Sequence, residues 1–424
     1  MQSNLEISRE LLDFINHCPS AYHTIDTVSR RLTAEGYTEL LEGDDWTLAP
    51  GGKYFVTRNQ SSLIAFRVPQ GNLQGFAITA SHSDSPTYKL KPQPEMAENG
   101  YLTLNTERYG GMIAETWLDR PLSIAGRVVL ETPEGITTKL VQFDRDLLVI
   151  PNVAIHLTTP GEPRALNPQV DMLPLFGLGK EPGSFMELLA EELGITPEQI
   201  LDTDLFLYCR TPGSIWGRAN EFISSPRLDD LGCVFATLKG FLQESNSPTL
   251  PVLGIFDNEE VGSGTKQGAK STFLRDILWR INHALGYDEV HYLRALAESF
   301  MLSCDNGHAV HPNHPEKSDP VHRPKLNGGV LLKYNANQKY TTDAVSGGIF
   351  RKLCKDAGIP LQVYVNRSDI PGGSTLGNLS AEKVSIPTVD IGLAQLAMHS
   401  SWETAGAEDT LHLIHAVETF YKNF

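Results

Sequence analysis

Apolar positions change their period along the chain. Leu5, Leu11, Leu12, Phe14 and Ile15 share one face of a helix, and their neighbours are polar. A second helix, AYHTIDTVSRRL, follows Pro19, with Ser20 placed to cap it. Residues 62–68 and 75–79 read as strands. The second, GFAIT, is apolar almost throughout, as a strand buried on both faces would be. From about residue 91 to 222 the texture shifts. Short runs such as RVVLE, TKLVQF, LLVI and DLFLYC alternate with turn residues, and one helix stands out over 184–193. Beyond Asp229, helices expected at 230–242, 272–283, 293–300, 347–356 and 410–421 interleave with the strands VLGIF, MLSC, VLLKY, LQVYV and VSIPTVDIG. The pattern predicts an α/β fold: a mostly parallel mixed sheet sandwiched by helices, from residues 1–90 and 223–424. A β-rich domain, residues 91–222, interrupts it.

Composition narrows the function. The 424 residues are 41% hydrophobic and 20% charged, enough apolar content for a large core. Thirty-five Lys and Arg against 51 Asp and Glu give a net charge of −16, which argues against phosphate-backbone and anionic-membrane partners. No apolar run approaches the roughly 18 residues of a membrane span. Glu6, Arg9, Glu10 and Asp13 break up any signal-peptide core at the N-terminus. Cys18, Cys209, Cys233, Cys304 and Cys354 are scattered and never form CxxC. They predict neither a disulfide framework nor a thiolate zinc site, and favour a cytoplasmic location.

Ligands of an open α/β sheet bind beyond the carboxyl ends of its strands. Here those ends carry His82 and Asp84 after GFAIT, Asp257-Asn258-Glu259-Glu260 after VLGIF, Asp305 after MLSC, and His399 after the TVDIG strand. Asp229 and Asp230 stand where the β-rich block returns the chain to a helix. Imidazole and carboxylate without thiolate suit hydrolytic zinc, cobalt or manganese. Two ions about 3.5–4 Å apart need a shared carboxylate and one or two terminal ligands each. His82, Asp229, Glu260, Asp305 and His399 supply that count, with Asp229 as bridge and Asp230 as its competitor. Asp84 is a candidate to fix the His82 tautomer. Of Glu259 and Glu260, one can hold metal while the other faces water as a general base. VGSGTKQGAK lacks the phosphate-loop pattern, and no G-x-S-x-G elbow exists. The histidines of HAVHPNH read as structural or substrate-facing loop residues.

The segments SHSDSP, PRLDD, DNEEVGS, SCDNGHAVHPN, KYNANQKY and AMHS, in this order, resemble the aspartyl aminopeptidase family of dinuclear zinc exopeptidases. YGG…WLDRPLSIAGRV and IPNVAIHL extend the resemblance over nearly the whole chain. It implies two zinc ions per subunit on His82, Asp229, Glu260, Asp305 and His399, with Asp229 bridging. It implies Glu259 as general base and Asp84 as the carboxylate beside the first histidine. Peptides would be the substrates, with N-terminal Asp or Glu preferred through Lys333. The inserted block would be a dimerisation domain in a homo-oligomer, a dodecamer built from dimers, with His156 reaching into a neighbour's active site. His311 is counted on the substrate side with Lys333 and His156. Where many members carry His-Ser-Ile-Arg-Glu, this chain has His399-Ser400-Ser401-Trp402-Glu403, without the arginine. The alternatives are a dimetal carboxypeptidase or N-deacylase, with Arg218 or Arg227 clamping a carboxylate, and a non-catalytic assembly protein.

Overall fold

A computed structural model describes residues 3–158, 165–179, 181–243 and 249–424. A nine-stranded mixed sheet forms its centre. Its strands run in the order Thr38–Glu39, Lys53–Arg58, Ser62–Arg67, Leu250–Phe256, Phe76–His82, Phe300–Cys304, Thr388–Gly392, Val330–Tyr334 and Leu361–Val365. The four strands from Leu250–Phe256 to Thr388–Gly392 are mutually parallel, so their carboxyl ends share one edge.

Alternation along these strands feeds two cores. Ala77, Leu253 and Ile255 pack towards the helices Asn4–Asn16, Ala21–Ala34, Leu228–Phe241, Ala344–Ala357 and Asp409–Asn423. Phe76, Ile78, Val252 and Phe256 pack towards Phe273–Ala284, Glu289–Ala297 and Leu376–Ser380. Burial on both faces is why the strands read as continuous apolar runs.

Two element expectations are corrected. The helix expected at 293–300 spans Glu289–Ala297, because the Asp288 carboxylate caps it by accepting the His291 N–H at 2.8 Å. Ser20 stands at the start of Ala21–Ala34, but its hydroxyl bonds the His23 ring at 2.8 Å and does not cap.

A second, six-stranded antiparallel sheet runs from Thr87 to Cys209. It encloses its own core of Tyr88, Trp117, Ile124, Leu130, Leu205 and Leu207, with the helix Ser184–Leu193 packed on through Phe185 and Leu189. A third sheet was not foreseen. It has five short strands: Ser214–Trp216, Phe222–Ser225, Glu403–Gly406, Ala394–Leu396 and Gly307–His308. It lies against the edge where the parallel strands end. Gly392 is required at that junction, since a Cβ there would stand 1.9 Å from the Asp305 carbonyl.

Candidate active site

The expected strand-end residues converge. His82 is the last residue of its strand and 1% exposed. Its Nε2 lies 3.6 Å from Asp229 Oδ1, and His399 Nε2 lies 3.3 Å from Asp229 Oδ2. Asp229 thus offers one oxygen to each histidine. His399 Nε2 is also 3.4 Å from Glu260 Oε2. Ligand atoms of His82, Asp229, Asp230 and Asp305 lie within 4.8 Å of one another, and so do those of Asp229, Glu260 and His399. Asp229 is the one member common to these two groups. Glu259 joins His82 and Glu260 in a third.

Two buried carboxylates hold the loops that carry these groups. Asp84 accepts the Glu259 and Glu260 N–H groups, both at 3.2 Å, one on each oxygen. Tyr109 donates to the same carboxylate at 2.7 Å, and His82 Nδ1 lies 3.4 Å from it. Glu403 accepts the Asp229 N–H at 3.0 Å and the His399 N–H at 2.7 Å. Asp230 accepts the His82 N–H at 3.1 Å. Asn258 and His399 take left-handed backbone conformations, φ 61° and 66°, which place the carboxylate turn and the second imidazole.

The electrostatics are those of a crowded anionic site. Burial, then Asp229, pushes the Glu260 carboxyl well above its usual range. Burial, against the opposing His82, pushes Glu259 up to about 8. Burial works against a charged His82, but Asp230, Asp229 and Asp84 outweigh it and raise its pKa well above 6.5. Asp229 Oδ1, Asp230 Oδ1 and Glu260 Oε1 are buried without a hydrogen-bond partner. Orphaned oxygens on carboxylates clustered with imidazoles fit divalent cations, which relieve the repulsion and take up the lone pairs.

A cavity of about 420 Å³ opens on the cluster, lined by Asp229, Glu259, Glu260, Asp305, Lys270, Lys333 and His399 among others. Lys333 is 1% exposed. Its ammonium donates to the Asp305 and Asn306 carbonyls, both at 2.9 Å, and lies 3.7 Å from the Asp305 carboxylate. The carboxylates of Asp343 and Asp369 are engaged elsewhere. Asp343 caps the helix Ala344–Ala357, and Asp369 pairs with Arg367. His156 lies apart, on the exposed turn Ile155–Leu157. His311 lines a separate cavity of about 430 Å³ with His314 and His322, and His308 borders both cavities. Arg218 is exposed, and among the described residues no arginine lines the cavity at the cluster. Tyr109, Lys270 and Glu403 were not assigned positioning or binding roles from sequence. The spacing of Glu403, four residues after His399, was the available signal for one of them.

Residues 14–421 match the model of the Aminopeptidase I zinc metalloprotease (M18) family. The chain belongs to this family. A probable M18 family aminopeptidase 2 of Clostridium acetobutylicum is 47% identical, covering 99% of this chain and 100% of the relative. Among solved structures, the chain in the Ape4 and Nbr1 complex is 36% identical with a TM-score of 0.96, covering 99% of this chain and 86% of that one. The mApe1 dodecamer of S. cerevisiae is 27% identical with a TM-score of 0.87, covering 99% and 97%. The M18 chain is therefore a zinc-dependent aminopeptidase with the α/β fold expected from its sequence. Among its described residues, no helix is long and apolar enough to cross a membrane.

Proposed function

We propose that the chain is a dinuclear zinc aminopeptidase that removes N-terminal Asp or Glu from peptides. The observation that carries this reading is Asp229, whose two oxygens face two different histidines at 3.6 and 3.3 Å. His82 and Asp305 would hold one ion and Glu260 and His399 the other, with Asp229 shared. Asp230 is the weaker bridge, because it belongs to only one of the two groups around Asp229. Bound zinc supplies Lewis acidity, which polarises a peptide carbonyl and acidifies water.

The chain's own residues do the rest. Glu259 borders the cavity and the cluster together. It takes the proton from the attacking water and passes it to the leaving amine. Asp84 fixes the Glu259 turn through two backbone N–H groups and orients His82. Among the described residues no arginine lines this cavity, Arg227 lining the adjoining one instead, which disfavours the carboxypeptidase reading with its clamp for a terminal carboxylate.

The acidic preference is supported by two lysines in the same cavity. Lys333 spends its donors largely on Asp305 and Asn306, so it contributes mainly positive potential. Lys270 has no hydrogen bond or ion pair among the described residues, and its ammonium is available to the substrate's side chain. The inserted block, 91–222, serves oligomerisation in this reading, towards a dodecamer built from dimers. Ile155 and Leu157, 80% and 79% exposed on either side of His156, fit a segment that docks on a neighbouring subunit. Five free, buried cysteines fit the cytoplasm.

Metal analysis and kcat/KM for Asp-, Glu-, Leu- and Lys-headed peptides test the reading together. Two zinc ions per chain and a preference for Asp or Glu of tenfold or more are expected, with Lys270→Met shrinking that preference. One ion at full activity would remove the dinuclear site. A Leu peptide cleaved as fast as the Asp peptide would remove the acidic preference.

A further inference from the structure

We propose that the chain binds a small organic carboxylate at Arg227, in an interdomain cavity distinct from the substrate cavity. This cavity measures about 430 Å³. Tyr22 and Arg227 face it from the helical side, and Arg127 and Phe206 from the six-stranded sheet. Asp84 and Asp229 form part of its wall, so it backs onto the catalytic cluster.

The charges around it do not balance locally. Lys89 and Arg127 each pair with Asp204, at 2.7 Å, and share its single charge, and Tyr22 donates to the same carboxylate at 3.0 Å. Asp84 is taken up by Tyr109 and two backbone N–H groups, and Glu403 by two more. Arg227 has no such partner. One nitrogen donates to the Ile15 carbonyl at 3.3 Å, the Tyr208 ring lies 5.9 Å away, and Nε is buried with nothing to bond. No carboxylate among the described residues lies within ion-pair distance of it.

A buried cation left unpaired is costly, and an anion from outside removes the cost. A carboxylate fits the planar donor fork of a guanidinium better than a spherical ion does. The lining by Tyr22, Tyr109, Phe206 and Tyr208 suits an apolar body attached to that carboxylate. Chloride or phosphate would leave these walls uncovered.

The test is calorimetric titration of the zinc-loaded full chain with phenylacetate, beside sodium chloride and inorganic phosphate at equal concentration. One saturable phenylacetate site per chain is expected, weakened at least tenfold by Arg227→Met. Ala21→Leu, which narrows the same cavity and keeps the guanidinium, should weaken it as well. This second variant stands alone where Arg227→Met fails to fold. The absence of phenylacetate binding would overturn the proposal. So would equal affinity in the variants, which would place phenylacetate on the zinc, or binding of the inorganic anions alone.

Discussion

Replacing Glu403 by glutamine should loosen zinc without altering a single ligand. The carboxylate is 2% exposed and accepts the Asp229 N–H on one oxygen and the His399 N–H on the other. Glutamine keeps the volume but has one carbonyl oxygen. Whichever way the amide turns, one backbone N–H meets an NH₂ group and loses its acceptor. A hydrogen bond to a charged group contributes about 1.5–3 kcal/mol. Both N–H groups belong to proposed ligand residues, so the loss falls on the arrangement that receives metal. At ~1.4 kcal/mol per tenfold, zinc affinity should drop about 10- to 100-fold, in the range known for groups that orient ligands. Zinc titration against a competing chelator measures it directly. At saturating zinc the variant should regain most of its kcat, because Glu259 and the cavity are untouched. Affinity within twofold of the parent would refute the idea that Glu403 organises the ligands. A variant that binds zinc normally and stays inactive would place Glu403 in the chemistry instead.

Glu259→Gln should lower kcat by about 10²–10⁴-fold at unchanged zinc content, the usual worth of a general base, and activity restored by added zinc would make Glu259 a ligand instead. His23 carries a pH dependence of stability: burial, with Arg227 and Arg30 nearby, holds its pKa at about 4 against 6.5. The unfolded chain therefore binds this proton first, and stability falls as pH drops from about 6.5 to about 4, by about 3 kcal/mol in all. Urea midpoints between those pH values should flatten in His23→Gln, and an unchanged slope would assign the acid sensitivity elsewhere.

The parallel core of the fold was legible because burial on both faces writes itself into GFAIT, VLGIF and MLSC as apolar runs. His82, Asp305 and the Glu259-Glu260 pair were legible for a related reason: each follows such a strand within a few residues. The third sheet left no comparable trace. Its strands are two to four residues long, as in Gly307–His308 and Glu403–Gly406, too short for a period to develop, and two of its pairings join strands far apart in sequence. The start of the helix at Glu289 turned on one capping carboxylate, Asp288. The role of Lys333 was obscured because its partners are largely backbone carbonyls, which no side-chain pattern announces.

The same reasoning separates the residues that would touch metal from those that position them. Asp84 and Glu403 each spend their two oxygens on two backbone N–H groups: Glu259 with Glu260, and Asp229 with His399. Four site residues on three chain segments are thus held by their main chain. The side chains of those residues stay free for chemistry, and three of the cluster's carboxylate oxygens stay without a partner. Had the scaffold held the ligands through their side chains, each support would have consumed a lone pair that a cation needs. Support through the backbone lets the geometry stand ready before metal arrives. It also explains why the supporting carboxylates looked, in sequence, like ordinary charges near a turn.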